Sequence, residues 1–461
     1  MRCLPTAVAA VLLALSSASV ASANHSGPDW VASDNVEYLG SIKQDIGLTT
    51  GAKVVGDRLF VTSGKNITVY DISKPASPVT LGSLKVNVAW ENEEVPTNGK
   101  VLAVASDFYS ATPSCLSQLA ADGCIQLFDV RDPSNIREVG AIPVANHTAE
   151  CVLDCQWFYG RAGTIVDARG VLDGRAPTVA GNWIDELRTQ GVDEQSCHHV
   201  REIRPGVMIT ACRPFVVMTV NPQDAAGASP QHPKVLYTGQ SDAFVHSARW
   251  PRNGHDRLVL IGGETNFTGR CDGTNGELRT YSAAAVDDGT ATTFGGPLDH
   301  LQPAGNGTYT DGKPVANHLG CSVHWFQEHP TWRNGGLLAL SEYEDGVRFI
   351  QVTRDGRMTE QGFFAALGGS SSSAKWAPGG DVVYSLDYDR GIDIIRWKGS
   401  HYVPKAHGRG VRRERGRIRG TNGVSRLPVL SGAALARHTA LAQQLSAAGW
   451  SPGYCRLAAL A

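Results

Sequence analysis

The stretch GLTTGAKVVGDRLFVTSGKNITVYDISKPASPVTLGSL, residues 47–84, decides the fold. It contains three short apolar or β-branched runs, at 59–61, 67–70 and 79–84, separated by Gly, Asp and a Ser-Lys-Pro turn. Runs of this kind, bounded by turn-forming residues, are typical of antiparallel strands joined by hairpins. The stretch therefore predicts a small sheet rather than a helix.

The same pattern recurs along the chain in degenerate form. Copies read CIQLFDVRDPSNIREVGAIPV, VMITACRPFVVMTVNPQ, LLALSEYEDGVRFIQVTRDG and VVYSLDYDRGIDIIRWKG. A repeat of about 40–50 residues with about four strands predicts the blades of a β-propeller. A β-sandwich array and a β-helix are the alternatives. We count seven units, which begin near Thr50, Glu91, His147, His198, His246, Cys321 and Ser372.

The sequence also predicts how the ring closes. The last unit, which ends near Val403, is one strand short, and Val36–Ile42 ahead of the first unit resembles a final blade strand. Exchange of that strand would remove exposed sheet edges. The prediction is an all-β, seven-bladed β-propeller over residues 24–404, closed by an N-terminal strand.

The two chain ends differ from this body. Residues 1–23 have the basic start, short apolar run and Ala-Ser-Ala site of a secretory signal peptide. Residues 405–461 hold ten Lys/Arg and one acid, hence +9, whereas 24–404 carry −12, and the whole chain shows only −2. We predict a basic, mostly disordered tail with one short helix at 432–447 at most.

These features predict a secreted protein. No later run approaches the 18 or so apolar residues of a transmembrane helix. The Ala/Gly/Arg-rich composition favours a bacterial source. The basic tail would suit an anionic surface or an extracellular or cell-surface polymer, and no nucleic-acid partner is expected outside the cell.

The cysteines fit an exported protein. Export places nine of them in an oxidising compartment. Thiolate metal binding, for example by Cys151 and Cys155 with His147, is the alternative to disulfides. Nearest-neighbour pairing predicts the disulfides Cys115–Cys124, Cys151–Cys155, Cys197–Cys212 and Cys271–Cys321, and leaves Cys455 unassigned.

At these motifs the chain resembles the LVIVD-repeat proteins, secreted β-propellers of the actinobacterial type. The segment ITVYDISKPASPV has the strand–Asp–turn–Pro order of the repeat. The resemblance covers most of residues 36–400 and implies a fold and a compartment, but no agreed activity. Further similar stretches are WENEEV (90–95), HTAECVLDCQWFY (147–159), FVHSARWP (244–251), SVHWF (322–326), YEDGVRF (343–349) and DYDRGIDIIR (387–396).

Alignment of the unit starts reveals candidate metal ligands. The innermost strand of each propeller blade lines the central channel, so equivalent positions form a ring at one depth. The predicted ligands are Glu91, His147, His198 and His246, from four consecutive units. Imidazoles with one carboxylate suit Zn, Fe, Mn or Cu. Residues that would replace or orient these ligands are His199, His324, Glu93, Glu264 and Glu342.

Two explanations that need no metal ion are also open for these residues. The channel could be filled by hydrogen-bonded polar side chains that hold water or a ligand, or the alignment could bring histidines together by coincidence. A second ring, three residues further on, is ionisable in every unit and predicts inter-blade ion pairs, with substrate binding as the alternative: Lys53, Glu94, Glu150, Arg201, Arg249, His324 and Lys375. Trp90, Trp157, Trp250, Trp325, Trp376 and Trp397 are predicted to pack between blades.

Two functions follow from this sequence. The first is a binding or interaction module that uses the channel mouth and the blade-top loops, because no Walker loop, G-x-S-x-G elbow or H-E-x-x-H motif is present. The second is a metal-dependent enzyme, an oxidoreductase or hydrolase, with its centre in the channel.

Overall fold

The computed structural model describes most of the predicted body. The residues described are 30–43, 49–63, 66–85, 93–106, 124–144, 146–241, 244–264, 276–302, 323–343, 345–366, 369–388 and 390–400. The predicted signal peptide, the tail, Val403, Trp90, Glu91, Cys115, Cys271, Cys321 and Cys455 lie outside them.

Seven sheets follow one another along the chain as the blades of a propeller, which confirms the predicted fold. Blade 1 consists of β3 (Thr49–Val55), β4 (Arg58–Ser63), β5 (Asn66–Asp71) and β6 (Val79–Lys85). Blade 2 has β7 (Val101–Ser106), β8 (Cys124–Asp129) and β9 (Arg137–Ile142). Blade 3 has β10 (Ala149–Val152), β11 (Trp157–Gly160), β12 (Thr164–Asp167) and β13 (Thr178–Asn182). Blade 4 has β14 (Gln195–Arg204), β15 (Val207–Arg213), β16 (Phe215–Thr219) and β17 (Lys234–Gly239).

The remaining blades close the ring. Blade 5 has β18 (Val245–Arg249), β19 (Leu258–Gly263), β20 (Leu278–Ser282) and β21 (Pro297–Leu301). Blade 6 has β22 (Phe326–Glu328), β23 (Gly336–Ser341), β24 (Val347–Val352) and β25 (Met358–Ala366), extended by β1 (Trp30–Ala32). Blade 7 has β26 (Ser371–Trp376), β27 (Val382–Asp387), β28 (Gly391–Trp397) and β2 (Val36–Ile42). The helices are short: α1 (Trp183–Thr189), α2 (Pro251–Gly254), α3 (Ala284–Asp287) and 3-10 turns at Pro133–Asn135 and Val171–Asp173.

The apolar core is divided among the blade interfaces. Each of the seven buried apolar clusters draws its residues from two neighbouring blades. In one of them, Phe60 of blade 1 meets Leu102 and Phe128 of blade 2. A blade therefore buries its faces only against its neighbours, and the ring is one cooperative body.

The N-terminal strand closes the ring as predicted. Strand β2 pairs antiparallel with β28, from Val36 opposite Trp397 to Ile42 opposite Ile392. A second N-terminal contact was not predicted: β1 adds to the outer edge of blade 6, with Trp30 opposite Ala366. Three residues are too few to show a strand period, so the pattern did not reveal β1.

Blade 2 differs from the others on its channel side. The described part of this blade has three strands, and residues 93–97 take the place of the innermost one. This segment borders β7 through a single bridge between Thr97 and Leu102. Because it is not held in a full ladder, its side chains can reach farther into the channel than those of a regular strand.

Two of the predicted disulfides are present. Cys151 pairs with Cys155 and Cys197 with Cys212. Cys124 is also disulfide-bonded, and its predicted partner Cys115 lies outside the described residues. Over the part of the chain that is described, no helix is both long and apolar enough to span a bilayer.

Candidate metal centre

Three imidazoles from three consecutive blades meet in the channel. His198 lies on β14, His246 on β18, and His324 just ahead of β22. The ring centroids of His198 and His246 are 3.8 Å apart, and those of His246 and His324 are 4.3 Å apart. All three side chains are at most 1% exposed. The alignment had placed His324 three positions deeper, with Cys321 leading, and that assignment of blade 6 was wrong.

Irregular backbone aims two of these side chains. In β18, Val245 pairs with Gly263 and Ser247 with Gly262, so His246 is the extra residue of a bulge. The register of β14 also shifts between Gln195 and His199, around His198. Bulges re-aim a side chain and often occur beside functional sites. The alternation of polar and apolar residues could not reveal them.

Hydrogen bonds between blades fix the orientation of two imidazoles. Nδ1 of His198 lies 3.1 Å from the backbone oxygen of His246, and Nδ1 of His324 lies 2.6 Å from the backbone oxygen of Ser372. A carbonyl oxygen only accepts, so each Nδ1 carries the hydrogen. In the neutral rings, Nε2 is then an acceptor with its lone pair available. Donation of the other ring N–H to a backbone carbonyl is the usual arrangement of a metal-binding histidine.

A carboxylate from blade 2 faces these nitrogens. Glu93 Oε1 lies 2.9 Å from His324 Nε2. Its other oxygen, Oε2, lies 3.4 Å from His246 Nε2 and 3.9 Å from His198 Nε2. Ligands held at about 2.0–2.1 Å from a tetrahedral ion are separated by about 3.3 Å. Glu93 and the imidazoles therefore have spacings close to those of a filled coordination sphere.

Neighbouring donors hold the carboxylates in place. Trp325 Nε1 donates to Glu93 Oε2 at 3.0 Å, and the Tyr388 hydroxyl lies 3.4 Å from Glu93 Oε1. The Tyr343 hydroxyl donates to Glu264 Oε1 at 2.7 Å. Hydrogen bonds of this kind orient metal-binding carboxylates and tune their basicity.

Glu93, His198, His246, Glu264 and His324 form two overlapping groups that could hold a metal ion. In each group, one ligand atom per residue lies within 4.8 Å of the others. The first group is Glu93, His198 and His246, and the second is His246, Glu264 and His324.

Burial and neighbouring groups shift the pKa values within this cluster. Burial opposes ionisation of Glu93, but the charge of His324 and the hydrogen bonds from His246 and His324 outweigh it and hold the pKa of Glu93 well below its ordinary value. Burial and neighbouring imidazoles hold the pKa of His198 well below its ordinary value, and lower that of His246. For His324 burial is outweighed by Glu93, which raises the pKa of His324. A cation, either a proton or a metal ion, is thus drawn to the Glu93–His324 pair.

A second layer of charges crosses the channel deeper along the strands. Glu94 Oε1 lies 2.8 Å from Lys375 Nζ and 2.9 Å from Arg201 Nη2. These two contacts join blade 2 to blades 7 and 4. Arg249 pairs with Glu328 at 3.1 Å between blades 5 and 6. The predicted inter-blade ion pairing is confirmed for these residues. In blade 6, however, Glu328 supplies the charge that had been assigned to His324.

The other predicted site residues lie around the cluster. The ring of His147 is edge-on to His198, 4.8 Å between centroids, and His147 belongs to neither metal-compatible group. His199 faces the deeper layer, with Nε2 3.9 Å from Glu150 Oε2. Glu342 was expected to orient the histidines, but its Oε2 lies 3.8 Å from Arg348 Nε. Glu91 lies outside the described residues, and Glu93 is the carboxylate that the structure brings to the imidazoles.

One functional residue was assigned wrongly from the sequence. Trp157, Trp250, Trp376 and Trp397 pack between blades as predicted. Trp325, in contrast, stands in the channel, where its ring lies 4.9 Å from His246 and its N–H reaches Glu93. Its position directly after His324 was the available signal, because neighbouring residues on an irregular strand can both face the channel.

Comparisons with known proteins add a fold-level likeness. No protein-family model and no curated protein matches the chain. Among solved structures, the β-propeller domain of Myceliophteria thermophila Cps50 (Swd1) matches with 12% identity and a TM-score of 0.48, over 78% of this chain and 99% of that one. A chain of a mitotic checkpoint complex matches with 13% identity and a TM-score of 0.45, over 79% and 95%. U3-55K matches with 11% identity and a TM-score of 0.46, over 80% and 99%.

Proposed function

We propose that this protein is a secreted β-propeller that binds a first-row transition-metal ion in its central channel. The proposed ligands are His198, His246 and His324 through their imidazoles and Glu93 through its carboxylate. Three imidazoles with a carboxylate suit Zn, Fe, Mn or Cu.

One observation carries this proposal. The Nδ1 hydrogens of His198 and His324 are committed to backbone oxygens, so the Nε2 lone pairs face the carboxylate of Glu93. Lone pairs that face a carboxylate in a buried site repel each other unless a cation lies between them. A divalent ion would meet this requirement for both imidazoles and would lie within reach of His246 Nε2.

A proton is the competing cation. Protonation of His324 would satisfy its contact with Glu93, in agreement with the raised pKa of His324. It would leave His246, whose Nδ1 lacks a hydrogen-bond partner among the described residues and whose Nε2 lies 3.4 Å from Glu93 Oε2. Nε2 of His198 also lacks a hydrogen-bond partner among those residues. Buried polar atoms are rarely left unsatisfied, and a metal ion would bind Nε2 of all three imidazoles, whereas one proton satisfies only that of His324.

The proposal also includes the location of the protein outside the cell and its family. Two disulfides in the described body support export, since disulfides persist in oxidising compartments. We propose membership of the secreted LVIVD-repeat proteins on the motifs quoted above. An oxidoreductase or hydrolase activity of the metal centre stays a prediction.

A second candidate function is ligand binding at the face where the innermost strands begin. A cavity of about 550 Å³ opens there beside blade 4, lined among others by Asp193, Arg213 and Gln240. Its polar lining favours a small polar ligand over an apolar one. Most blade-top connections lie outside the described residues, so their part in an interaction surface stays a prediction.

Metal analysis of the purified mature protein tests the main proposal. After removal of metals with a chelator, the protein is reloaded with Zn²⁺, desalted and analysed for bound metal. We expect bound zinc in the wild type and a smaller amount of bound zinc in His198→Ala. His329→Ala is the matched control, because His329 is equally buried but hydrogen-bonds to Gly380. No metal above background in the wild type would contradict the proposal.

A further inference from the structure

The two metal-compatible groups share His246 but otherwise differ, and together they offer more donors than one tetrahedral ion uses. Glu264 belongs only to the second group, and its residue is 6% exposed. Its Oε2 lacks a hydrogen-bond partner among the described residues, while Oε1 accepts from Tyr343. A buried, oriented carboxylate oxygen without a partner marks a place for a second cation.

Glu93 belongs to the first group and also contacts His324 of the second. Its Oε2 faces His246 and His198, at 3.4 and 3.9 Å, while its Oε1 faces His324 at 2.9 Å. A carboxylate that bridges two metal ions binds one ion through each oxygen, and Glu93 presents one oxygen to each set of ligands. In two-metal sites the ions lie about 3.5–4 Å apart.

We propose that the channel holds a dinuclear centre bridged by the carboxylate of Glu93. This inference rests on the proposed function and extends it. The first ion would be bound by His198, His246 and Glu93 Oε2. The second would be bound by His324 and Glu264 of the second group, with Glu93 Oε1, which lies 2.9 Å from His324 Nε2, in place of the shared His246.

Carboxylates offset part of the charge of two divalent ions. Two ions bring four positive charges, and Glu93 and Glu264 neutralise two of them. Next to Tyr343 in the chain, Asp345 and Glu360 pair with the buried guanidinium of Arg348. Burial and the neighbouring Asp345 raise the pKa of Glu342 well above its ordinary value, so Glu342 adds little negative charge there.

Tyr343 acts in this arrangement as a positioning residue. Its hydroxyl fixes Glu264 at 2.7 Å, and its ring lies 4.5 Å from that of His324. Loss of the hydroxyl would free Glu264 to rotate away from the second ion without changing a ligand. We therefore expect Tyr343→Phe to weaken binding of the second ion and to leave binding of the first unchanged.

Metal stoichiometry separates this inference from the proposed function. The full-length mature protein is reloaded with Zn²⁺, and bound zinc is measured per chain. We expect about two ions in the wild type and about one in Glu264→Gln. Glu277→Gln is the matched control, because it removes a carboxylate of the same blade that pairs with Arg279 and His300 instead. It should keep both ions.

The outcomes are distinct. About one ion in the wild type, unchanged in Glu264→Gln, would overturn the dinuclear centre and leave the metal site standing. Absence of zinc from the wild type would overturn both. If Glu264→Gln does not fold, the wild type and Tyr343→Phe are loaded with Cu²⁺ and compared by electron paramagnetic resonance. The spins of two bridged Cu²⁺ ions would couple, so we expect the wild type to lose most of its signal. An uncoupled single-ion spectrum in the wild type would contradict the inference.

Discussion

Trp325 donates its indole N–H to Glu93 Oε2 at 3.0 Å, although the two residues are 232 positions apart in the chain and belong to blades 6 and 2. The contact spans the channel. It is possible because residues 93–97 replace a regular innermost strand in blade 2. A carboxylate from one side of the ring is thereby held among imidazoles from the other.

Removal of this hydrogen bond should weaken metal binding. In Trp325→Phe the carboxylate of Glu93 loses an orienting donor but keeps its charge. Loss of such partners typically costs 10–100-fold in metal affinity. We expect a decrease of about this size in a competition titration with a chromophoric chelator. Trp250→Phe removes an indole N–H that donates to the backbone oxygen of Asp256 within blade 5, and it should leave the metal affinity unchanged.

Glu94 should be important for stability rather than for metal binding. It is 3% exposed and is the shared partner of Lys375 and Arg201. Removal of one member of a buried ion pair leaves an uncompensated charge and costs about 3–5 kcal/mol. We expect Glu94→Gln to lower the free energy of unfolding by about this amount in a denaturant titration. Glu328→Gln, at a pair whose carboxylate is 25% exposed, should cost less. Equal effects of the two substitutions would show that Glu94 is not the centre of the deeper layer.

The stability of the ring should depend on pH through Glu202. Burial raises the pKa of Glu202 to about 7, against an ordinary value of 4.5. The folded carboxyl holds its proton to higher pH than the unfolded one, so its contribution is full below pH 4.5 and is lost as pH rises through 7. Glu202→Gln keeps an acceptor for the N–H groups of Leu153 and Gly206. The variant should therefore gain stability over the wild type between pH 4.5 and 7, by up to about 3 kcal/mol.

Unfolding curves at several pH values check this prediction. Glu37→Gln is the control, because the side chain of Glu37 is 41% exposed beside Arg396. A stability difference between Glu202→Gln and the wild type that is constant from pH 4 to 8 would contradict the account.

Deletion of the closing strand should open the ring. Without residues 30–42, β28 becomes an exposed edge and the interface between blades 6 and 7 loses Trp30, Val36 and Tyr38. We expect loss of the single cooperative unfolding transition and a tendency to aggregate. Deletion of 405–461, in contrast, should leave the transition intact. A cooperative, monomeric protein after deletion of 30–42 would show that closure is not needed.

The fold could be predicted from the sequence more completely than the metal site. Gly, Pro and Asp punctuation predicted the blades, and the strand deficit of the last unit predicted its pairing with Val36–Ile42. The histidines of blades 4 and 5 were found because their units align by simple counting. Glu93 and His324 were assigned to supporting positions because blade 2 lacks a regular inner strand and because the innermost strand of blade 6 begins later than Cys321. Local backbone irregularity decides which side chain reaches the channel, and strand periodicity does not encode it.

Anomalous diffraction from crystals of the zinc-loaded protein tests the central claim most directly. Data collected on both sides of the zinc absorption edge locate the metal without assumptions about its ligands. The account predicts an anomalous peak in the channel about 2.0–2.2 Å from Nε2 of His198 and of His246 and from an oxygen of Glu93. A channel without such a peak, while zinc is bound only at surface histidines, would contradict it.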